Sequence, residues 1–212
     1  MKKIIFIFLI YFTLFNVHSQ EQFNFDVTEI QITEDGNKFI GKNKGKITSN
    51  NGIVIVADEF EYNKKSNILN ASGNVKINDT INKYVIFSKK IIYDKNNGLI
   101  FAKEKSKAIS SIDNIIITAK NFEYNINKNS ITANENVVLE NNKADYKIFS
   151  ELITYLRNDE KIYTKGKTSA LINSKYKINS KNLIFSKKLM ELKSENKTTL
   201  TDDSNLYNLS NF

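Results

Sequence analysis

The stretch Ile53–Asn63, IVIVADEFEYN, returns sixty-two residues later as Ile115–Asn125, IIITAKNFEYN, with no insertion or deletion between the copies. Reduced to a template it reads apolar, any, apolar, any, Ala or Ser, any, any, apolar, any, aromatic. Ile53, Ile55, Ala57, Phe60 and Tyr62 fit it, and so do Ile115, Ile117, Ala119, Phe122 and Tyr124. Two further copies fall halfway: Tyr84, Ile86, Ser88, Ile91 and Tyr93, then Tyr146, Ile148, Ser150, Ile153 and Tyr155. The true period is therefore 31 residues. A fifth copy, Tyr176, Ile178, Ser180, Leu183 and Phe185, carries a one-residue slip, and FNFDVTEIQI near the start reads as an eroded earlier one. Between the copies runs a second motif in which Ala71, Ala102, Ala133 and Thr164 hold one position.

A fixed period of this size means stacked supersecondary units. Alternation at i and i+2, in Ile, Val, Tyr, Phe and Thr, is the strand signature. No segment sustains a 3.6-residue period, and NNG, NKKSN and NKNS separate the runs as turns. The Asn-Gly pairs at Asn51 and Asn97 are turn chemistry too. The step of three that follows each Ala or Ser would flip the facing unless the strand bulges or bends there. Corners repeated at one register predict strands that bend together. The expected fold is all-β, an elongated β-jellyroll or wound β-sandwich of roughly 12–15 strands in two layers.

Composition narrows the chemistry. The chain has 212 residues, a formal charge of +8, no Cys, no Pro, no Trp and one His. Without Cys there are no disulfides, no thiolate nucleophile and no Cys-based zinc site. The one His, His18, lies in MKKIIFIFLIYFTLFNVHSQEQ, which has the charged start, apolar run and small-residue exit of a secretory signal peptide. Cleavage is expected after Ser19. The apolar run Ile4–Val17 would rise only about 21 Å as a helix, short of the ~30 Å hydrocarbon core. The carboxylates Asp58, Glu59, Glu61 and Glu123 repeat loosely beside turns, a poor match to a glycosidase pair. No Asp-rich calcium loop is present. No enzymatic activity, metal, cofactor or nucleic-acid partner is expected. The domains read as 1–19 signal peptide, 26–200 repeat domain and 201–212 polar tail.

The stretches ADEFEYN…ASGNVKI and AKNFEYN…ANENVVL, together with the exported start, resemble the OstA-like family of lipopolysaccharide transport. That family includes a periplasmic bridge protein and the N-terminal domain of an outer-membrane assembly protein, and the opening FNFDVTEIQI is more similar to the latter. The resemblance covers residues ~26 to ~190. It departs at Lys120 and Glu135, which replace Asp and Gly of the pattern. It implies a β-jellyroll in the periplasm or against the outer membrane, whose apolar groove shields the acyl chains of lipid A. It also implies head-to-tail edge-strand pairing with other OstA-like jellyroll proteins. The groove residues would be Ile53, Ile55, Phe60, Tyr62, Ile86, Ile91, Tyr93, Ile115, Ile117, Phe122, Tyr124, Ile148, Ile153 and Tyr155. Lys76, Lys89 and Lys90 would meet phosphates at the rim or form a solvated face. A groove and a dry core share one sequence pattern, so an exported structural or adhesive repeat protein with a dry core stands as the alternative. A membrane barrel is disfavoured, because Asp58-Glu59 and Lys89-Lys90 interrupt the alternation it needs.

Overall fold

The computed structural model describes residues 23–209; the expected signal peptide lies outside them. The described chain is all-β, with 17 strands and no helix. The first are β1 (Asn24–Thr33), β2 (Lys38–Thr48), β3 (Ile53–Ala57), β4 (Glu59–Asn63) and β5 (Ile68–Asp79). The middle of the array is β6 (Tyr84–Asp94), β7 (Leu99–Ser110), β8 (Ile115–Asn125), β9 (Ser130–Asn141) and β10 (Tyr146–Leu156). It continues through β11 (Lys161–Lys165), β12 (Lys167–Ile172), β13 (Tyr176–Lys181) and β14 (Ile184–Ser186). It closes with β15 (Glu191–Lys193), β16 (Thr198–Thr201) and β17 (Leu206–Leu209). β17 lies in the stretch read from sequence as a polar tail. The strand number exceeds the expected 12–15 because some corners break a strand in two, as at Asp58 between β3 and β4.

Every pairing is antiparallel and joins neighbours in the array, so one continuous sheet folds along its length. Each long strand bends at its middle. The register shifts at Ser72/Val75, Phe87/Lys90, Lys103/Ser106, Thr118/Asn121 and Ser150/Leu152 mark one line of corners across the sheet. The step of three read from sequence is this corner. It keeps Ile55, Ala57, Phe60 and Tyr62 all facing inward, each at most 4% exposed. Half of each strand thus belongs to a first arm (59–63, 68–72, 90–94 and their repeats) and half to a second arm (53–57, 75–79, 84–88 and theirs).

Backbone conformation makes the corner. Gly73 and Asn74, Glu104 and Lys105, and Glu135 and Asn136 all adopt positive φ, between 47° and 74°, and Gly166 follows at 85°. Positions 73, 104, 135 and 166 are 31 apart, so the left-handed corner persists where glycine does not. The partner across the corner changes with it. An alanine Cβ at Gly73 would come within 2.5 Å of Asp58 Oδ2, and one at Gly166 within 2.2 Å of Glu151 Oε2. Where glutamate replaces glycine, a lysine faces it: Lys90 Nζ–Glu104 at 3.0 Å and Lys120 Nζ–Glu135 at 2.6 Å. Lys120 and Glu135, the departures from the family pattern, are thus one coupled exchange. Gly73→Ala is expected to cost about 1–2 kcal/mol through left-handed strain and the clash with Asp58. Glu135→Gly should be nearly neutral, since backbone relief offsets a half-exposed ion pair worth about 0–1 kcal/mol. Urea melts of the two variants check both; equal losses would refute the backbone argument.

Large and small side chains alternate inside the corner. Phe60 pairs with Ala71, Ala71 with Ile91, Ile91 with Ala102, Ala102 with Phe122, and Phe122 with Ala133. The small residue lets the two arms approach. One layer over, polar and apolar pairs alternate. Ser88 Oγ meets Ser106 Oγ at 3.2 Å and Ser150 Oγ meets Thr168 Oγ1 at 2.9 Å, whereas the equivalent positions hold Ala57 with Val75 and Ala119 with Val137. This alternation is why the best sequence match spans two periods rather than one. The turns also stack, through backbone bonds such as Lys95 N to Asn67 O (3.2 Å) and Ile126 N to Gly98 O (2.9 Å). Asparagine amides link successive turns, Asn67 Nδ2 to Asn96 Oδ1 at 2.8 Å and Asn129 Nδ2 to Asn158 Oδ1 at 3.1 Å. Much of the asparagine in this chain therefore has structural work at the turns.

Candidate binding interior

All fourteen residues expected to line a groove point between the two arms, and all are 0–4% exposed. Ile55, Ile86, Ile117 and Ile148 lie in the second arm. Phe60, Ile91, Phe122 and Ile153, with the ladder Tyr62, Tyr93, Tyr124 and Tyr155, lie in the first. In this conformation they pack on one another and on cross-strand partners such as Leu69, Ile100 and Ile131. A cleft of about 440 Å³ beside Ile40, Glu59, Ile92 and Lys103 opens on the outer side of the first arm, not between the arms.

What closes the interior is a seam opposite the corners, where the turns of the two arms meet. Asn51 Nδ2 donates to the Tyr93 hydroxyl at 2.8 Å, and Asn82 Nδ2 to the Tyr124 hydroxyl at 3.0 Å. Asp113 stands beside the Tyr155 hydroxyl, and its charge helps to raise that phenol. Asn51, Asn82 and Asp113 occupy one position of the 31-residue repeat, and each meets the tyrosine 42 residues later. At the next repeat both partners lose their polar groups together, to Ala144 and Phe185.

The third link is ionic. Arg157 Nε lies 2.7 Å from Asp113 Oδ2, Lys187 Nζ 3.2 Å from Oδ1, and the Ser110 hydroxyl donates to Oδ2 at 2.6 Å. The three charged side chains are only 10–15% exposed. Arg157 also donates to the Asn82 carbonyl and covers the Tyr84 ring, 5.1 Å from its centroid. Lys187 Nζ donates to the Tyr155 hydroxyl at 3.0 Å. Burial pushes the Asp113 carboxyl upward; the Ser110 hydroxyl, Lys187 and Arg157 overcome that and hold it below the ordinary carboxylate range. Burial raises the tyrosines, and for Tyr124 a hydrogen bond and the charge of Asp79 add to it. Arg157 is the sole arginine in 212 residues. That rarity was the sequence signal for this cluster, because a planar guanidinium suits a dry ion pair better than the lysine used everywhere else.

Asp79, 1% exposed, accepts the Tyr124 hydroxyl at 2.5 Å and the backbone amides of Ile81 and Asn82 at 2.9 and 2.7 Å. Tyr124→Phe is expected to cost about 2 kcal/mol, the worth of a hydrogen bond to a buried charge. Tyr93→Phe, whose partner is a neutral amide, should cost about 1 kcal/mol. Thermal melts of the pair test this order; a reversed order would remove Asp79 from the seam's energetics. Among the described residues no cluster of acidic, His or Cys side chains could hold a metal.

No family model matches the chain, and no curated protein does. Among solved structures, the chain is similar to that of LptH from Pseudomonas aeruginosa, described as the LptA homologous periplasmic component of the conserved lipopolysaccharide transport device. The identity is 10%, the TM-score 0.28, and the match covers 66% of this chain and 79% of that one.

Proposed function

We propose that this protein is a non-enzymatic, exported carrier that shields the acyl chains of a lipid such as lipopolysaccharide between its two arms. The observation that carries the reading is the continuous inner row of Ile, Phe, Tyr and Ala, repeated along the sheet and closed on the seam side by polar links and aromatic contacts. Moving an acyl chain out of water is worth ~0.8 kcal/mol per CH₂, so a twelve-carbon chain gains on the order of 10 kcal/mol inside such a row. The seam links are non-covalent, and parting them opens the row along its length without breaking a corner. The sequence resemblance to OstA-like proteins points the same way.

The two ends of the sheet suit extension by another chain. Among the described residues β1 pairs with β2 alone and β17 with β16 alone, and each end exposes apolar side chains: Ile30, Ile32, Leu206 and Tyr207. Pairing first edge to last would continue the inner row from one copy into the next.

The test is photolabelling with a diazirine fatty acid, followed by peptide mapping. Crosslinks to peptides bearing Phe60, Phe122 or Ile153 support the carrier. Labelling confined to the outer cleft at Ile40 and Ile92, or none, refutes it. A specific observation favours a second reading in that event: the inner row is fully packed in this conformation, as an exported structural or adhesive repeat protein with a dry core requires.

A further inference from the structure

The line of corners forms a convex ridge, and its outside is strongly basic. Where β6, β7 and β8 cross it, Lys89, Lys90, Lys103, Lys105, Lys107 and Lys120 stand against Glu104 alone, all exposed. Lys90 and Lys120 are engaged by Glu104 and Glu135. Among the described residues Lys89, Lys103, Lys105 and Lys107 make no ion pair. A run of lysines by itself is a solvated face. Here a second feature adjoins it.

The outer face of the second arm, next to this ridge, carries an apolar row. Val85, Ile109 and Ile116 stand directly opposite one another on three neighbouring strands. On the adjacent row Phe87 lies between Lys76 and Lys107, and Phe87 and Phe149 are 39% and 42% exposed. Lys76 Nζ lies 5.9 Å from the Phe87 centroid and Lys147 Nζ 5.5 Å from that of Phe149. Acids on this face are few: Glu140 is paired with Lys147 at 3.2 Å, and Asp26 faces Lys46 at 3.7 Å. Exposed aromatic and half-buried branched side chains framed by lysines form an interfacial surface. The rings reach the acyl boundary while the ammonium groups meet phosphates.

We infer that the corner ridge and the outer face of the second arm form a docking surface for an anionic lipid bilayer, separate from the interior. Charge complementarity selects the occupant. A rim with this excess of lysine over carboxylate has no use against a neutral protein face, whereas an anionic bilayer attracts each lysine near it. The chain would then lie along the membrane on its convex side, with the seam facing away.

Co-sedimentation with vesicles tests this in the mature protein. Binding to phosphatidylglycerol-containing vesicles, its loss on pure phosphatidylcholine, and its decline with rising salt are expected. Lys89→Glu, Lys105→Glu and Lys107→Glu together should weaken binding by more than about a hundredfold, at about fivefold or more per lysine. Phe87→Ser with Phe149→Ser should weaken it about tenfold or more while leaving the salt dependence unchanged. All five positions are exposed, so circular dichroism melts should match the wild type. Failure to sediment at low salt, equal binding to neutral vesicles, or an unaffected lysine variant each overturns the proposal. So does binding to soluble polyphosphate but not to vesicles. The lysine variant should keep interior photolabelling, so loss of membrane docking and loss of acyl binding read out separately.

Discussion

Asp113→Ala is expected to destabilise the protein by about 3–5 kcal/mol, the largest effect of any single surface-proximal substitution. The carboxylate is shared by Arg157 and Lys187, and removing it leaves two nearly buried cations facing each other without a counter-ion. Asp113→Asn keeps the shape and removes only the charge, so it should recover part of the loss. Replacing all three charged groups with Asp113→Leu, Arg157→Met and Lys187→Met should recover more, because an apolar substitute avoids the desolvation cost. Urea denaturation of the series decides it. A loss below about 1 kcal/mol for Asp113→Ala would mean that the cluster behaves as a surface pair.

The same residue predicts an acid limb. The folded-state pKa of Asp113 is depressed below its unfolded value. Its stabilisation is therefore fully present above the ordinary carboxylate pKa of about 4 and is lost as pH falls through the lower folded value. The wild type should weaken below about pH 4 more steeply than Asp113→Asn. Because this cluster ties the turns of the two arms, its variants should also take up an acyl probe faster if the carrier reading holds.

The repeat made a large part of the fold readable. Inward facing at Ile55, Phe60 and Tyr62, and the corner between Ala57 and Phe60, follow from the step of three, since only a bend there keeps all of them on one side. Less visible was how the arms meet. The offset of 42 between Asn51 and Tyr93 is set by arm length and twist, not by the period itself. The pattern of apolar residues was equally blind to closure. Ile91 or Phe122 looks the same in sequence whether it touches a guest or Ala102. The chemistry of the seam was scattered over turns as Asp113, Arg157 and Lys187, which lie 44 and 30 residues apart and acquire meaning only when the arms fold together. The clues were present as correlated departures: one arginine in the whole chain, and the joint loss of hydroxyl and amide at Phe185 and Ala144.

Alkaline titration asks whether the arms stay closed in solution. Tyr84, Tyr93, Tyr124 and Tyr155 are 0–1% exposed, and burial raises the pKa of each above its unfolded value near 10. The fold favours the neutral phenol, so the contribution is complete below pH ~10 and is lost as pH rises toward the folded values. Between the unfolded and the folded pKa a tyrosine removes up to about 1.4 kcal/mol per pH unit, and the four act in the same direction. Against a typical stability of about 5–15 kcal/mol, that loss is enough for unfolding to set in as pH climbs above 10. The buried phenolate absorbance should thus appear in one cooperative step, together with loss of the sheet signal in circular dichroism. Tyr84→Phe sharpens the test. Its hydroxyl has no hydrogen-bond partner, so the change should be neutral or slightly stabilising at pH 7 and should move the alkaline midpoint upward. Smooth ionisation of these tyrosines with the sheet intact would instead mean that water reaches the inner row, and that the arms part without unfolding as a carrier needs.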